Sequence, residues 1–584
     1  MRTALIQFNP TIGDIARNAE RMATLADQAR VEGAELVVFP ELAICGYPPR
    51  DLLLHEGFVE ACARAAKHLG EHHSAGCTII FGCPLPIDRA DPSRGIANSL
   101  LAYRDGVLID SYDKRLLPTY DVFDEDRYFE PGERAVVIEV PTAVGARHVG
   151  LAICEDLWQG EDAGFASRYV SDPDPVAELV RAGADTIVSP SASPFVLGKG
   201  TKHRDILTTH ATRHSVCIAA VNQVGGNDDL IFDGHAAAYD THGRALGFGP
   251  GFEESITLIN IPAPETESHP GESQQQLQAL ADPLLTSSDE ELLFRALVLG
   301  TRDYLQKTGH SKAIIGLSGG IDSAITCAVA AAALGAEHVL GVAMPGKYSS
   351  DHSIADADAL ADMLGVRCIT TPIAKPFDSL CEVLDVSFTE LQERTLGETL
   401  PDITEENLQS RARGAILMAL SNRTGAIVLT TGNKSELAVG YCTLYGDMNG
   451  GLAVLSDVTK LQVYDLARWL NAEHARAGFT QPPIPVNTIE KPPSAELAPD
   501  QLDQDSLPPY EVLDEVIERY IEHKQSVSRI AQETGYERAL VARIARLIDI
   551  NEYKRKQTAV GIKVSSVAFG SGRRVPIAQR WRSE

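Results

Sequence analysis

Residues 312–323, KAIIGLSGGIDS, constrain the fold of this chain more than any other stretch. A five-residue apolar run precedes the two glycines, and the alanine-rich run over residues 324–333 that follows them predicts a helix. A strand that turns through Gly319 and Gly320 into a helix leaves backbone N–H groups free at the positive helix end. Because serines and an acidic residue flank the glycines, the turn predicts a phosphate-binding loop rather than an ordinary βα turn.

Length and composition place the chain among multidomain globular proteins. Its 584 residues exceed the roughly 250–300 at which a single hydrophobic core stops growing, so we expect at least two domains. The sequence contains no apolar run near the ~18–20 residues of a membrane span. The N-terminal MRTALIQFNP has too short an apolar stretch for a secretory signal and is typical of a first strand, which predicts a cytoplasmic protein.

Cysteine spacing and net charge exclude several classes of function. The 10 cysteines are dispersed without a CxxC pair, which argues against a zinc ribbon or a thioredoxin motif and favours a reducing compartment. The net charge of −28 opposes binding to nucleic acid or to an anionic membrane. A polyanionic nucleotide substrate would therefore need local basic groups or magnesium.

The chain divides at residues 262–288, which are rich in Pro, Glu, Ser and Gln and lack periodicity, as a linker would be. Ser288 precedes Glu291 by three positions, a capping box that predicts the start of a helix. On both sides of the linker, short β-rich runs alternate with amphipathic helices, as layered α/β domains require. We therefore predict two α/β catalytic domains, over residues 1–261 and 289–584.

Three residues of the first half stand at the ends of predicted strands, where active sites of α/β proteins usually lie. Glu41 follows VVFP, Lys114 lies in YDKRLLP, and Cys154 closes VGLAIC. Taken alone, each has a plain explanation as a turn carboxylate, a surface lysine or a buried thiol. Together, their contexts over residues 1–261 resemble the Glu-Lys-Cys triad of the nitrilase, or carbon–nitrogen hydrolase, superfamily. The resemblance implies an αββα nitrilase-like sandwich.

The residue types suit amide hydrolysis. A deprotonated cysteine is a stronger nucleophile than water, a glutamate can take its proton and later activate water, and a lysine can stabilise the oxyanion. No histidine lies in a recognisable catalytic motif, which argues against a papain-like triad. LPTYDVFDE and SPSASPFVLGKGTKHR resemble glutamine-binding segments of glutaminase domains, which implies glutamine contacts for Tyr120, Ser193 and Lys199. Some relatives have arginine in place of Lys199.

The second half lacks the lysine of the GxxxxGK[ST] loop, so a Walker-type NTPase is not indicated. Its SGGIDS instead resembles the pyrophosphate loop (PP-loop) of the ATP pyrophosphatases, which split ATP between the α and β phosphates. SGGIDS, LQSRARG, TTGNKSE, YGD and VTK together resemble NAD synthetases, and residues 485–510 resemble the substrate loop of that family. The resemblance implies a doubly wound parallel α/β domain of the ATP pyrophosphatase type. With the nitrilase-like half in front, the whole chain resembles the glutamine-dependent members of this family.

The resemblance also implies binding roles. Asp322 and Glu436 supply hard oxygen ligands suited to Mg²⁺. Asn407, Glu436 and Lys554 are expected to contact deamido-NAD. The residues expected to bind ATP are Gly316, Leu317, Ser318, Gly319, Gly320, Ile321, Asp322, Ser323, Thr431 and Lys460.

The reaction that follows joins the two halves. The carboxylate of deamido-NAD attacks the α-phosphorus of ATP and releases pyrophosphate; ammonia from glutamine then attacks the acyl-adenylate, and AMP leaves. Ammonia released into bulk water at neutral pH would mostly become ammonium, which cannot attack. We therefore expect a buried passage within one chain or across the subunit interface of a homo-oligomer.

Three alternatives remain open from the residues alone. Residues 526–556 resemble a helix-turn-helix in which Arg543 and Arg546 would face DNA, although the net charge favours a helical pair that closes the nucleotide site. The chain could also be another PP-loop enzyme that uses ammonia from glutamine but adenylates a different nucleotide or an RNA base. The two enzymes would be distinguished by the acceptor that triggers pyrophosphate release. The first half could also be a non-catalytic nitrilase-like domain, which would lack a functional triad. The presence of both Lys114 and Cys154 argues against this alternative.

Overall fold

The computed structural model describes residues 1–87, 95–159, 173–263, 280–396, 402–499 and 501–583. These residues form two compact units, Met1–Ser288 and Asp289–Glu584. Most of the predicted linker, residues 264–279, lies outside the described residues, whereas residues 280–288 belong to the first unit.

The first unit contains two six-stranded sheets and a hairpin. Their orders are β14-β1-β2-β3-β4-β5 and β13-β12-β9-β8-β7-β6, with β10 and β11 forming the hairpin. The strands are β1 (Arg2–Gln7), β2 (Leu36–Val38), β3 (Thr78–Pro86), β4 (Ile96–Arg104), β5 (Val107–Asp113), β6 (Val137–Thr142), β7 (Gly145–Leu151), β8 (Thr186–Ser191), β9 (Cys217–Asn222), β10 (Val224–Asn227), β11 (Leu230–Asp233), β12 (Ala237–Tyr239), β13 (Ala245–Phe248) and β14 (Ser255–Asn260).

Helices cover the outer faces of both sheets. They are α1 (Ile15–Val31), α2 (Phe58–His73), α3 (Pro175–Arg181), α4 (Lys199–His214) and α5 (Pro283–Thr286). Leu5 of the first sheet and Val188 of the second share one buried core between the sheets. Met22 of α1 packs in a second core on the first sheet, and Leu207 of α4 packs in a third core on the second sheet. Apolar side chains on both faces of each sheet thus produce the predicted αββα sandwich.

The second unit is built on one parallel sheet of order β17-β16-β15-β18-β19-β20. Its strands are β15 (Ala313–Leu317), β16 (Val339–Ala343), β17 (Arg367–Thr370), β18 (Ile427–Thr430), β19 (Leu452–Ala453) and β20 (Val560–Gly561). The chain runs outward from β15 in one direction and from β18 in the other. In doubly wound sheets of this kind, ligands bind beyond the carboxyl ends of the strands at such a reversal.

Helices lie on both faces of this sheet, as the doubly wound prediction requires. Those that precede the C-terminal region are α6 (Asp289–Lys307), α7 (Ile321–Leu334), α8 (Asp351–Leu364), α9 (Ala374–Glu390), α10 (Ile403–Thr424), α11 (Lys434–Val439), α12 (Lys460–Ala472) and α13 (Val486–Glu490). Helices α6, α7 and α12 pack together on one face, whereas α10 packs on β15 and β18 from the other. The predicted helix after Ser288 is α6, and the alanine-rich run forms α7.

The C-terminal helices are α14 (Tyr510–Ile517), α15 (Val527–Thr534), α16 (Arg538–Ile550) and α17 (Glu552–Arg555). Leu513 of α14, Ile530 of α15 and Ile544 of α16 share a buried cluster with Leu437 of α11. The side chain of Arg543, considered above as a DNA contact, donates a hydrogen bond to the carbonyl of Ser506 at 2.9 Å. The helical pair is therefore part of the core of the second unit. None of the helices in the described ranges is both long and apolar enough to cross a membrane.

Candidate active sites

The first unit places its predicted triad just beyond the carboxyl ends of strands. Lys114 directly follows β5, Glu41 comes three residues after β2, and Cys154 comes three residues after β7. Strands β2 and β5 run in the same direction within one sheet, so Glu41 and Lys114 emerge at the same edge. All three side chains are buried, and the Lys114 and Glu41 side chains are each only 1% exposed.

A network of short hydrogen bonds fixes the glutamate and the lysine. Lys114 Nζ donates to Glu41 Oε1 at 2.7 Å and to Glu125 Oε1 at 2.8 Å. Glu41 Oε1 also accepts from Asn98 Nδ2 at 2.7 Å, and Glu41 Oε2 accepts from the Ala192 N–H at 2.9 Å. Both oxygens of Glu41 are thus held in place.

Burial and charge set the protonation states of this cluster. Burial alone would lower the pKa of Lys114, but the carboxylates of Glu125 and Glu41 raise that pKa well above its ordinary value. Burial raises the pKa of Glu125 to about 7, although Lys114 opposes the rise. The lysine therefore stays an ammonium, and the second carboxyl titrates near neutrality.

Cys154 is a protonated thiol in this environment. Burial and then the negative charge of Glu41 raise its pKa above the ordinary value, against the opposing charge of Lys114. Its backbone φ of 43° lies in the left-handed region, which a non-glycine residue adopts at a cost and which clusters at functional sites. Cys154 would need a neighbouring base to act as a nucleophile, and Glu41 is the predicted one.

The predicted glutamine-binding residues converge on the segment that follows Cys154. The Tyr120 hydroxyl donates to Glu155 Oε2 at 3.1 Å. Lys199 Nζ donates to Ser193 Oγ at 3.3 Å and lies 5.1 Å from the centre of the Trp158 ring. A carboxylate, an ammonium and a hydroxyl at one site are the groups that recognise an amino acid by its own ammonium and carboxylate.

The turn that carries Ser193 is held from behind by Asn222. The Asn222 side chain accepts from the Ser193 N–H at 2.8 Å and donates to the Ser193 carbonyl at 2.9 Å. Asn222 Nδ2 also donates to Asp233 Oδ1 at 3.1 Å. The same turn supplies the Ala192 N–H to Glu41, so it links Glu41 to the predicted glutamine-binding residues.

Sequence reasoning did not assign Glu125, Glu155, Trp158 or Asn222. Glu125 is the last residue of the quoted LPTYDVFDE, and Glu155 and Trp158 follow directly after the quoted VGLAIC, so proximity to predicted residues was the signal for these three. Asn222 ends the apolar run CIAAVN, and its position at the end of a strand was the only signal for it.

The second unit forms a cavity of about 300 Å³ at the reversal of its sheet. The loop after β15 and the loop after β18 meet there, as the topology requires. The predicted residues that line the cavity are Gly316, Leu317, Ser318, Gly320, Ile321, Asp322, Ser323, Thr431, Glu436 and Lys460.

Gly319 shapes this loop without lining the cavity. Its φ of 73° is left-handed, and a Cβ at this position would lie 2.3 Å from the carbonyl oxygen of Ser353. Only glycine permits this close approach, which lets the loop turn into α7. Ile321, Asp322 and Ser323 in the first turn of α7 line the cavity, and the start of a helix offers free N–H groups.

Lys460 lies between the two predicted metal ligands. Its Nζ donates to Asp322 Oδ2 at 2.5 Å and to Glu436 Oε1 at 3.1 Å. Burial opposes the charge on Lys460, but Asp322 and Glu436 raise its pKa above the ordinary value. Burial raises the pKa of Glu436 to about 8, with Lys460 opposing and Asp322 adding to the rise.

These carboxylates fit a magnesium ion that is completed by substrate. Within the described ranges there is no group of three or more metal-ligating side chains. Mg²⁺ is commonly bound by one or two carboxylates together with substrate phosphates and water, which matches the pair Asp322 and Glu436. Burial, with a smaller contribution from Asp322, raises the pKa of Glu436 although Lys460 opposes the rise, and a bound cation would favour the ionised carboxylate.

The two other residues expected to contact deamido-NAD lie one layer outside the cavity. Asn407 Oδ1 accepts from Thr443 Oγ1 at 2.7 Å. Lys554 Nζ donates to the carbonyls of Gly440 and Cys442, at 2.8 Å each. Both residues support the segment 440–447, whose Asp447 lines the cavity.

The predicted substrate loop contributes the opposite wall of the cavity. Glu496 Oε1 accepts from Ser350 Oγ at 2.9 Å and from Ser353 Oγ at 2.6 Å, and Lys491 Nζ donates to Asp356 Oδ2 at 2.8 Å. Lys491 and Glu496 were not singled out from the sequence, although both belong to the quoted segment 485–510.

Comparisons with known proteins identify the families of both halves of the chain. The carbon-nitrogen hydrolase family model matches residues 2–270, and the NAD synthase family model matches residues 293–558. The chain is 46% identical over 583 residues to the glutamine-dependent NAD(+) synthetase of Synechocystis sp., covering 100% of this chain and 99% of that protein. It is 40% identical over 608 residues to the glutamine-dependent NAD(+) synthetase of Thermotoga maritima, covering 100% of this chain and 99% of that protein.

Solved structures show the same architecture over the full length. The structure of glutamine-dependent NAD+ synthetase from Acinetobacter baumannii in complex with ADP matches with a TM-score of 0.72 at 36% identity, covering 100% of this chain and 99% of that one. The glutamine-dependent NAD(+) synthetase from Cytophaga hutchinsonii shares the fold, with a TM-score of 0.79 at 20% identity. This match covers 99% of this chain and 98% of that one. This chain belongs to the glutamine-dependent NAD(+) synthetase family.

Proposed function

We propose that this chain converts deamido-NAD, ATP, glutamine and water into NAD, AMP, diphosphate and glutamate. One observation carries the proposal: a buried Glu41–Lys114–Glu125 cluster beside Cys154 occurs in the same chain as a glycine-loop cavity with Lys460 between Asp322 and Glu436. The first arrangement suits amide hydrolysis and the second suits transfer of an adenylyl group. Full-length similarity to glutamine-dependent NAD(+) synthetases supports the pairing.

The first unit would release ammonia from glutamine. Glu41 takes the thiol proton of Cys154, and the thiolate attacks the side-chain amide carbon of glutamine. The Lys114 ammonium stabilises the tetrahedral oxyanion, and the proton held by Glu41 passes to the leaving ammonia. Glu41 then activates a water molecule that hydrolyses the thioester to glutamate. Glu125 keeps Lys114 charged and positioned throughout.

The second unit would activate the carboxylate of deamido-NAD. Backbone N–H groups at the start of α7, with Ser318 and Ser323, hold the β and γ phosphates of ATP, and Lys460 neutralises charge on the departing pyrophosphate. The carboxylate attacks the α-phosphorus, and ammonia attacks the resulting acyl-adenylate and expels AMP. Magnesium held by Asp322 and Glu436 would supply further positive charge at the phosphates.

Three further features complete the proposal. All 10 cysteines are free, which suits the reducing cytoplasm. Ammonia has to reach the acyl-adenylate before water protonates it, so a protected passage is needed, either within one chain or in a homo-oligomer. The net charge of −28 argues against a nucleic-acid partner.

Replacing Cys154 should separate the two activities. Cys154→Ala should lower glutamine-dependent NAD formation by several orders of magnitude while ammonia-dependent formation stays within about twofold of wild type, because the adenylating residues lie in the other unit. Steady-state assays with each nitrogen source measure the split. Cys217→Ala, which removes another buried thiol from the same core, serves as the control. Loss of ammonia-dependent activity in a folded Cys154→Ala protein would contradict the assignment.

Replacing Asp322 should abolish synthesis from either nitrogen source. Asp322→Ala removes one carboxylate of the proposed metal site and the closest partner of Lys460, so NAD formation should fall by about 100-fold or more. Basal glutamate release from glutamine should persist, because that chemistry uses Cys154. Asp358→Ala, an exposed aspartate on α8, is the matched control. Synthesis by Asp322→Ala at a near wild-type rate would remove the glycine loop from the mechanism.

The raised pKa of Glu125 predicts a pH-dependent stability. The folded protein keeps the Glu125 proton up to about pH 7, whereas the unfolded chain releases it near the ordinary value of 4.5. Stability therefore falls as pH rises through this window, and Glu125→Gln should flatten that fall. Melting temperatures from about pH 5 to about pH 8 test this. The exposed Glu130→Gln should keep the wild-type slope. Equal slopes in wild type and Glu125→Gln would refute the assignment.

A further inference from the structure

The end of the predicted linker is folded onto the glutaminase half. Asp282 and the short helix α5 form a segment, residues 282–286, that we call the docking segment. It packs on the first turns of α4, the helix that begins at Lys199. The docking segment has no role in the chemistry described above.

A buried ion pair fastens the docking segment to α4. Arg204 Nε donates to Asp282 Oδ2 at 2.8 Å, and Arg204 Nη2 donates to Asp282 Oδ1 at 3.3 Å. The two residues are 4% and 6% exposed. Asp282 Oδ1 also accepts from the Leu284 N–H at 3.0 Å and so caps α5. A doubly bonded, buried arginine–aspartate pair fixes both position and orientation.

A close apolar contact adds to the ion pair. Leu284 is 8% exposed and lies over Gly200, where a Cβ would come within 2.5 Å of Leu284 Cδ2. The neighbouring Leu285, by contrast, is 55% exposed. Gly200 thus leaves the space that Leu284 fills.

The same turns of α4 contact the glutamine site. Lys199 donates to Ser193 Oγ, and Lys199 and Lys202 lie 5.1 Å and 5.9 Å from the centre of the Trp158 ring. The His203 ring stacks on Trp158 with centroids 6.2 Å apart and planes at 13°. Within residues 199–204, Lys199, Lys202 and His203 thus contact the proposed glutamine site, whereas Gly200 and Arg204 contact the docking segment.

We infer that the docking segment is a positioning element of the glutamine site, which it sets through Gly200 and Arg204 and hence through Lys199. The inference rests on the proposed function. The inference is limited to the first unit, because Asp282, Leu284, Gly200, Arg204 and Lys199 all belong to it.

The matched pair Leu284→Ala and Leu285→Ala tests the inference in the full-length chain. Leu284→Ala should raise the KM for glutamine about fivefold or more, while Leu285→Ala should stay within about twofold of wild type. Ammonia-dependent NAD formation should be unchanged in both. If Leu284→Ala lowers thermal stability, Leu284→Met should restore the KM, because it keeps most of the packing volume.

A double variant tests whether the effect passes through the Gly200 contact. Gly200→Ala should also raise the KM for glutamine, because its methyl group displaces Leu284. Combining Gly200→Ala with Leu284→Ala should add little to the single variants, since both remove one contact. Independent, multiplying effects on KM would show that the two residues do not act through each other.

A split between KM and kcat supplies a readout that a purely structural role would not change. In Leu284→Ala the KM for glutamine should rise while the kcat for glutamine-dependent NAD formation stays within about twofold of wild type. An unchanged KM in Leu284→Ala would overturn the inference, as would equal loss of glutamine-dependent and ammonia-dependent activity. Ammonia-dependent NAD formation by these variants tests the proposed function separately.

Discussion

Both candidate sites depend on a buried lysine held between two carboxylates. Lys114 lies between Glu41 and Glu125, and Lys460 lies between Asp322 and Glu436. Each cluster contains more potential negative charge than its single ammonium can balance in a buried environment. Burial first, and the neighbouring carboxylate second, raise the pKa of one carboxyl in each unit, to about 7 for Glu125 and about 8 for Glu436.

The same imbalance serves different chemistry in the two units. Beside Cys154, a fixed ammonium and a fixed carboxylate suit a reaction in which a proton leaves a thiol while negative charge forms on an oxygen. Beside the glycine loop, the shortage of positive charge suits a site that receives phosphates together with a divalent cation. Glu41 and Lys114 stand just beyond strand ends, whereas Asp322 and Glu436 lie in the first turns of the helices α7 and α11 that follow β15 and β18. In both units the sheet fixes the backbone from which these segments emerge.

The sequence predicted the parts of the fold that depend on local pattern. Continuous apolar runs identified β1 and β15, and strand ends pointed to Glu41, Lys114 and Cys154. Strand β13 was not predicted, because it is only four residues long and all four are only partly buried. Its strand character depends on pairing with β12.

Residues whose roles depend on distant contacts could not be predicted. Glu125 accepts a hydrogen bond from Lys114 only because the segment after β5 folds back onto that lysine. The hydrophobic periodicity of the sequence does not predict this fold-back. The docking segment lies in a stretch without periodicity that was predicted to be a linker. Its structure depends on Arg204 and Gly200 of a helix far away in sequence. Lys554 is basic, but its contacts with the carbonyls of Gly440 and Cys442 follow from tertiary packing alone.

Pyrophosphate release from ATP tests the central claim most directly. The account predicts that deamido-NAD alone triggers a burst of about one pyrophosphate per active site, and that glutamine or ammonia converts the burst into steady turnover. ATP without deamido-NAD should release neither pyrophosphate nor orthophosphate at a comparable rate. Steady pyrophosphate release that is independent of deamido-NAD, or that another nucleotide or an RNA base triggers instead, would contradict the account.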